Sequence, residues 1–182
     1  MTGPAALEMP HVREVVKVRS AAEMHEAVLS RAAGMHVVVM AAAVADYTPA
    51  ERAAQKVPKE GDTLTLVLKR TPDILADLGQ RRLAGGGGPL LVGFAAETEQ
   101  VVARATAKRE KKHADLIVAN DVSRSDSGFD VGTNAVTFVG PEGVEELPLQ
   151  PKSRVAAEIL DRVEKLLADR PAKAGRYDGR SG

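Results

Sequence analysis

Residues 37–47, which read VVVMAAAVADY, decide the fold. The run 37–40 is continuously apolar and mostly β-branched, as expected for a parallel strand that is covered on both faces. The alanines that follow have almost no side chain, so a bulky ligand could lie directly against their backbone. Asp46 then adds a carboxylate where the strand ends, and ligands of open α/β sheets bind at that end. A turn cap would explain one such acid equally well, so other positions must decide.

Strand and helix patterns alternate along most of the chain. Ser20 with Glu23 forms a capping box, and Thr71 with Pro72 provides a cap and a first-turn proline for a second helix. A third helix is predicted at 98–113. Strands are predicted at 14–18, 37–42, 63–69, 90–95 and 115–119. This alternation predicts the α/β class, with a Rossmann-like, doubly wound and mostly parallel sheet.

The last third of the chain has a different pattern. Residues 135–139 and 144–149 flank the turn sequence GPEG, which predicts a β-hairpin. A closing helix is predicted at about 153–168. Residues 169–182 are rich in Gly, Arg, Lys and Pro without periodicity, which predicts a disordered tail after one domain at 1–168.

Composition excludes several classes of function. Lys and Arg total 25 and so do Asp and Glu, which argues against a general binder of nucleic acids or membrane surfaces. The absence of cysteine excludes disulfides, thiolate zinc sites and cysteine nucleophiles, and it favours the reducing cytoplasm. Neither a signal peptide nor a membrane span is predicted. The four histidines show no metal-ligand spacing, so we predict no metal site from them.

Two of the predicted loops place charge or free N–H groups at the edge of the sheet. The first carries Asp46, followed by Lys56 and Lys59. The second is a helix start, whose free backbone N–H groups and positive dipole end suit a phosphate, although plain helix capping explains it as well. This second loop consists of Arg70, Thr71, Pro72 and Asp73.

Further candidate residues lie in the following strand and helix. Phe94, in the segment GFAAET, could stack on a base or could be an ordinary core aromatic residue. Lys108 and Lys112 are four residues apart and share a helix face with Arg104, as either a polyphosphate site or a solvated surface. The pair Asn120-Asp121 follows a buried run at another strand end.

At these residues the sequence resembles a known family, the CTP-dependent phosphopantothenate-cysteine ligases of bacterial coenzyme A synthesis. The matching motifs stand in the family's order over roughly residues 14–164, and their combination is specific. They are AAVADY, the lysine motif at Lys56, TPDIL, GFAAET, the paired lysines, DLIVAND, GF followed by Asn134, and LPLQPKSRVAAEIL.

The resemblance implies a reaction and a set of site residues. CTP would activate the carboxylate of 4'-phosphopantothenate as a mixed anhydride with CMP, and the amine of cysteine would then displace CMP. It implies Mg²⁺ as the accompanying ion, and it implies that Asp46 and Lys56 are catalytic. Contacts with CTP are implied for Asp46, Lys56, Arg70, Thr71, Pro72, Asp73, Phe94, Lys108 and Lys112.

The resemblance also implies partners. A homodimer is expected, with the segment from Lys56 and the C-terminal hairpin in the contact. Many bacterial relatives are fused to or associated with a flavin-dependent decarboxylase, so such an association is a further expectation. No nucleic acid or membrane partner is expected.

Two departures from the family pattern leave alternatives open. Family members begin earlier with a strand, a Gly-rich turn and a helix, which this sequence lacks together with an asparagine assigned to the cysteine-dependent step. A non-catalytic module for CTP binding and dimerisation that needs an upstream segment is therefore the alternative. The family's Asn-Pro-Asp-Ile also begins here with Thr71, which removes an amide that could recognise cytosine. A dinucleotide-dependent oxidoreductase is disfavoured, because the glycines at 85–88 follow a predicted helix and not a strand.

Overall fold

The structure is a computed structural model of the chain, and it describes residues 1–4, 9, 11–51, 55, 61–123 and 131–170. The chain divides into two compact units, Met1–Pro89 and Leu90–Gly182. Lys56, Lys59 and the predicted tail beyond residue 170 lie outside the described residues. None of the helices in the described ranges is long and apolar enough to cross a membrane.

The first unit contains two helices and three short strands. In chain order they are α1 (Ala21–Ala32), β1 (Val37–Met40), β2 (Tyr47–Pro49), β3 (Leu68–Arg70) and α2 (Ile74–Ala84). The predicted start of α1 is confirmed, because the Ser20 hydroxyl accepts a 3.1 Å hydrogen bond from the Glu23 N–H. The Glu23 carboxylate in turn accepts from the N–H of Arg19 at 2.9 Å, which satisfies a second free donor at the helix start.

Two strand predictions in the first unit are wrong. Residues 14–18 form no strand, and only Lys17 makes an isolated bridge, to Thr2. The alternating stretch 63–69 is extended only at Leu68–Arg70, and Leu64 and Leu66 are 70% and 65% exposed. Alternation predicts a strand only where a neighbour buries one face, and here β3 pairs antiparallel with the three residues of β2.

The predicted start of α2 is also wrong, by two residues. Asp73 is the N-cap, and its carboxylate accepts a 3.1 Å hydrogen bond from the Ala76 N–H. Pro72 therefore precedes the helix instead of lying in its first turn. The Thr71 hydroxyl donates to the carbonyl oxygen of Ala45 at 2.6 Å, so this side chain joins two loops and does not cap a helix.

The second unit contains a sheet flanked by two long helices. Its elements are β4 (Leu90–Glu97), α3 (Val101–Lys112), β5 (Leu116–Asp121), β6 (Thr133–Asn134), β7 (Val136–Gly140), β8 (Gly143–Glu146), β9 (Gln150–Pro151) and α4 (Lys152–Ala168). Strands β4, β5, β7 and β8 lie side by side in this order. Strands β4 and β5 are parallel and α3 connects them, which confirms the predicted βαβ crossover, whereas β7 and β8 are antiparallel.

The predicted hairpin is confirmed as β7 and β8. Gly140 pairs with Gly143 at its tip, and Gly143 has φ of 122°, a conformation that favours glycine. Strand β8 ends at Glu146, three residues before the predicted end, because Pro148 follows and cannot donate to a ladder. The predicted closing helix is confirmed as α4.

The sheet of the second unit has two faces that different helices cover. Phe94, Val118 and Phe138 are neighbours across three strands and therefore share one face. The Arg162 guanidinium of α4 lies 4.4 Å from the centre of the Phe138 ring, so α4 covers this face. Arg104 of α3 forms a 3.3 Å ion pair with Glu97, whose side chain points to the other face. Helix α3 therefore covers that other face.

Candidate functional site

A cavity of about 550 Å³ lies in the first unit, where the alanine loop meets the start of α1. The loop 42–45 forms one wall, and most of its alanines are exposed. This agrees with the expectation that a ligand could lie against bare backbone. The remaining lining residues are Thr2, Gly3, Pro4, Val18, Arg19, Ser20, Ala21, Met24, Tyr47, Thr48 and Thr71.

Two of the predicted site loops meet beside this cavity. The Thr71 N–H donates to the carbonyl oxygen of Asp46 at 3.0 Å, and the Thr71 hydroxyl donates to the preceding carbonyl, that of Ala45. Arg70 pairs with Tyr47 in the ladder of β2 and β3. The structure thus brings Asp46 together with the segment 70–73, although these residues are more than twenty positions apart in the sequence.

The segment 70–73 leads into α2, and its last residue, Asp73, caps that helix. The Asp73 carboxylate takes the N–H of Ala76, so one of the first-turn donors of α2 already has a partner. Of the two interpretations left open by the sequence, capping is therefore realised at Asp73. A contact between this segment and CTP stays a prediction.

Phe94 and the paired lysines belong to the second unit and occupy different layers of it. Phe94 is half-buried on the sheet face that α4 covers. Lys108 and Lys112 are partly exposed on α3, which covers the opposite face. Within this unit, a single nucleotide that contacted all three would have to reach around an edge of the sheet. Their contacts with CTP stay predictions.

The basic side chains of α3 also have partners within the second unit. Arg104 is paired with Glu97, and Arg109 donates to the carbonyl oxygen of Asp115 at 3.3 Å. Lys112 lies in the last turn of α3, where a positive charge also stabilises the negative end of the helix dipole. Contacts of Lys108 and Lys112 with a polyphosphate stay predictions.

A second polar pair lies at the end of β5. The Asn134 amide donates to the Asn120 side-chain oxygen at 3.1 Å, and Asn134 is the one buried polar side chain in the described residues. The Asp121 carboxylate accepts from the N–H of Ser123 at 3.0 Å, which is a turn arrangement. Asn120 and Asp121 are thus tied to the local backbone and to β6.

Sequence reasoning missed part of the cavity wall. Thr2, Gly3 and Arg19 line it, and none of them was predicted as a site residue. The capping box at Ser20 was the signal in the sequence that could have pointed to Arg19, because it marked the helix start that lines the cavity. Among the described residues, no group of three His, Asp or Glu side chains could hold a metal ion.

All residues that line the cavity lie in a stretch of the chain that matches one protein family. Residues 1–167 match the family described as DNA/pantothenate metabolism flavoprotein C-terminal domain. The chain belongs to this family. Among its family relatives, the coenzyme A biosynthesis bifunctional protein CoaBC of Bacillus subtilis is 42% identical over 168 residues. The CoaBC protein of Vibrio vulnificus strain YJ016 is 39% identical over 169 residues.

These relatives are longer than the chain. The matches cover 91% and 92% of this chain but 40% and 41% of the Bacillus and Vibrio proteins. The crystal structure of a CoaBC C-terminal domain superposes with a TM-score of 0.74 at 40% identity, covering 92% of this chain and 73% of that one. The predicted Rossmann-like α/β class is therefore confirmed.

Two more distant solved structures are similar to the chain in fold alone. A flavoprotein of this family from Streptococcus pneumoniae gives a TM-score of 0.72 at 20% identity, covering 90% of this chain and 79% of that one. A Cab2 variant in complex with phosphopantothenate-cysteine gives 0.61 at 22% identity, covering 84% of this chain and 53% of that one.

Proposed function

We propose that this chain is the ligase part of a coenzyme A biosynthesis protein, which joins cysteine to 4'-phosphopantothenate at the expense of CTP. The observation that carries the proposal is the cavity wall in which the AAVADY loop and the TPD segment meet through Thr71. Both motifs belong to the resemblance, and relatives named CoaBC match nearly the whole chain. The runner-up is a CTP-binding and dimerisation module without turnover.

The first step would form an acyl-CMP intermediate. A carboxylate oxygen of phosphopantothenate attacks the α-phosphorus of CTP, and the bond from that phosphorus to the leaving pyrophosphate oxygen breaks. Lysine ammonium groups stabilise the charge that develops on the leaving group, and Lys56, Lys108 and Lys112 are the assigned candidates. The exposed Ala42, Ala43 and Ala45 carry only a methyl group each, so the reacting groups could approach this part of the loop closely.

The second step would form the amide. The nitrogen of cysteine attacks the acyl carbon, the bond from that carbon to the CMP oxygen breaks, and the nitrogen loses a proton to solvent or to a nearby base. Asp46 is the carboxylate beside the cavity loop and is our candidate for orienting a substrate donor group. Its backbone is held by Thr71, so the direction in which its side chain leaves the loop is restricted.

Mg²⁺ fits the donors of this chain as an ion that arrives with the nucleotide. The described residues contain no cluster of three His, Asp or Glu, and Mg²⁺ is commonly held by one or two carboxylates together with phosphate oxygens and water. When bound, the ion would neutralise phosphate charge in the nucleotide.

Self-association is part of the proposal. Leu64, Leu66, Val67 and Leu68 are 51–72% exposed on the stretch that leads into β3. Contiguous apolar exposure of this kind marks an interaction surface, and the resemblance assigns this region and the hairpin to a homodimer contact. A flavin-dependent decarboxylase is the proposed partner activity, in line with relatives named bifunctional.

Two measurements on the purified chain test the function. We expect saturable binding of CTP with Mg²⁺ in calorimetry, and pyrophosphate release when 4'-phosphopantothenate and cysteine are added. Binding without pyrophosphate release would favour the non-catalytic module. Loss of both signals in a correctly folded sample, checked by circular dichroism, would contradict the proposal.

A further inference from the structure

One side-chain pair joins the two helices of the first unit. The Nε2 atom of His25 in α1 lies 2.7 Å from the Oδ2 atom of Asp77 in α2. A carboxylate has no proton to donate, so Nε2 is the donor. The two side chains are 25% and 47% exposed, so the pair is only partly screened by water.

On the α2 side, the pair is connected to the cavity through the first turn of α2 and the segment 71–73. The Asp77 N–H donates to the Asp73 carbonyl oxygen at 2.9 Å, and the Asp73 side chain caps the helix. Two residues earlier, Thr71 lines the cavity and is bonded to Ala45. A shift of the first turn of α2 would therefore displace Thr71 and the part of the cavity wall that it forms, which we call the Thr71 wall.

On the α1 side, the connection is direct. Met24 precedes His25 and lines the cavity, and it is only 7% exposed, so its packing is fixed. Ala21, one turn earlier on the helix, lines the cavity as well. His25 and Asp77 themselves are not among the lining residues.

We propose that His25 and Asp77 are positioning residues for the nucleotide site, because their hydrogen bond sets the separation between the α1 wall and the Thr71 wall of the cavity. This inference rests on the proposed function for its ligand, CTP with Mg²⁺. It requires that loss of the pair loosen the Thr71 loop and weaken the ligand, beyond any loss of overall stability.

The competing interpretation is an ordinary contact between two helices. Such a contact would lower the free energy of unfolding when it is removed but would leave the Thr71 loop unchanged. The decisive variant is Asp77→Ala. The Asp77 side chain is nearly half exposed, so its removal leaves no hole in the core. Asp77→Asn keeps an acceptor for Nε2 and serves as the conservative rescue.

The matched control lies on the other end of α1. Arg31 and Glu14 form an exposed 3.4 Å ion pair that no lining residue of the cavity shares. Glu14→Gln removes this charge pair from the same unit without touching the path from Asp77 to Thr71. It therefore reports what the loss of an exposed pair does by itself.

The experiment measures two quantities on the full chain, the exchange rate of the Thr71 amide proton by NMR and the Kd for CTP with Mg²⁺. For His25→Ala, Asp77→Ala and their double variant, we expect both to rise by about fivefold, with the double variant no worse than either single one, as for residues in one network. Asp77→Asn and Glu14→Gln should stay near the wild-type protein.

Two results would overturn the inference. If the Thr71 amide proton exchanged at the wild-type rate in Asp77→Ala, the pair would not hold the loop. Faster exchange with an unchanged Kd would mean that the loop position does not govern the ligand. If the wild-type chain bound no CTP, the proposed function would fail and the role in nucleotide binding with it, whereas the Thr71 exchange rates would still decide whether the pair holds the loop.

Discussion

The Thr71 hydroxyl donates a 2.6 Å hydrogen bond to the carbonyl oxygen of Ala45, 26 residues earlier in the chain. The Thr71 N–H donates to the next carbonyl oxygen, that of Asp46. One residue therefore holds the alanine loop against the approach to α2, and both lie at the same cavity. Much of what can be tested about the site depends on this junction.

Replacement of Thr71 by valine keeps the shape of the side chain but removes its donor. We expect Thr71→Val to lower the free energy of unfolding by about 1 kcal/mol, the usual value of one hydrogen bond, and to raise the Kd for CTP severalfold. Urea unfolding and calorimetry measure the two effects. Thr71→Ser retains the hydroxyl and should behave like the wild-type protein, and equal CTP affinity in the valine and serine variants would contradict the role.

Lys108 tests whether α3 takes part in nucleotide binding. We expect Lys108→Ala to weaken CTP binding by about tenfold and to reduce its salt dependence, since a charge-assisted contact to phosphate is lost. Lys111→Ala removes an equal charge from the same helix and is the control. Indistinguishable affinities for the two variants would remove α3 from the site.

Phe94 lies on the opposite side of the sheet and calls for a separate measurement. If it stacks on the cytosine ring, Phe94→Leu should raise the Kd for CTP while leaving the salt dependence of binding unchanged. Thermal unfolding of the same variant is needed as well, because Phe94 is half-buried and its truncation costs packing. A loss of stability at unchanged affinity would identify an ordinary core residue.

Gly143 at the hairpin tip has φ of 122°, where a residue with a side chain is strained. A Cβ added at this position would meet no atom within 4 Å, so backbone strain and not a clash determines the result. We expect Gly143→Ala to lower the free energy of unfolding by about 1–2 kcal/mol. Gly132→Ala, which also meets open space but lacks positive φ, should cost less in the same urea titration.

The ion pair between Glu158 and Arg162, both on α4, should weaken in acid. The hydrogen bond from Arg162 lowers the pKa of Glu158 below its ordinary value of 4.5, and the Arg154 charge acts in the same direction. A lowered folded-state pKa means that the stabilisation is complete well above pH 4.5 and is lost as the pH falls through the folded-state value.

Glu158→Gln is the variant that tests this linkage. The difference in unfolding midpoint between wild-type protein and Glu158→Gln should be at its full size near neutral pH and should shrink as the pH falls below 4.5. Urea titrations at several pH values measure it. A difference that is independent of pH would show that the Glu158 charge contributes nothing to the contact with Arg162.

Some elements were predictable because their signals are local. The cap at Ser20 and the long helical periods of α3 and α4 depend on neighbours within a few residues. The start of α1 and the bounds of α4 agree with prediction within one residue, and α3 begins three residues later than predicted. Strands β4 and β5 were predictable for a related reason: runs as apolar as 90–95 have no stable place except inside a core.

The failures occurred where a local pattern needed a distant partner. The alternation at 63–69 would make a half-buried strand only against a covering layer, and Leu64 and Leu66 are exposed in this chain. Thr71 is a residue type that commonly caps helices. Its hydroxyl donates instead to the carbonyl oxygen of Ala45, and Asp73 caps α2. Competition between two acceptors depends on which loops meet, and that is not a local property.

By itself, the sequence determined the α/β class, the order of the long helices and buried strands, and the family. Periodicity, helix caps and ordered motifs depend on residues that are close together in the chain, so they can be recognised without the structure. The tertiary structure alone decided which of the flagged residues are neighbours. It joined Asp46 to Thr71 through a backbone hydrogen bond, and it put Phe94 and Lys108 on opposite sides of one sheet. Strand register and helix packing set such neighbours, and both arise from contacts between residues that are far apart in the chain.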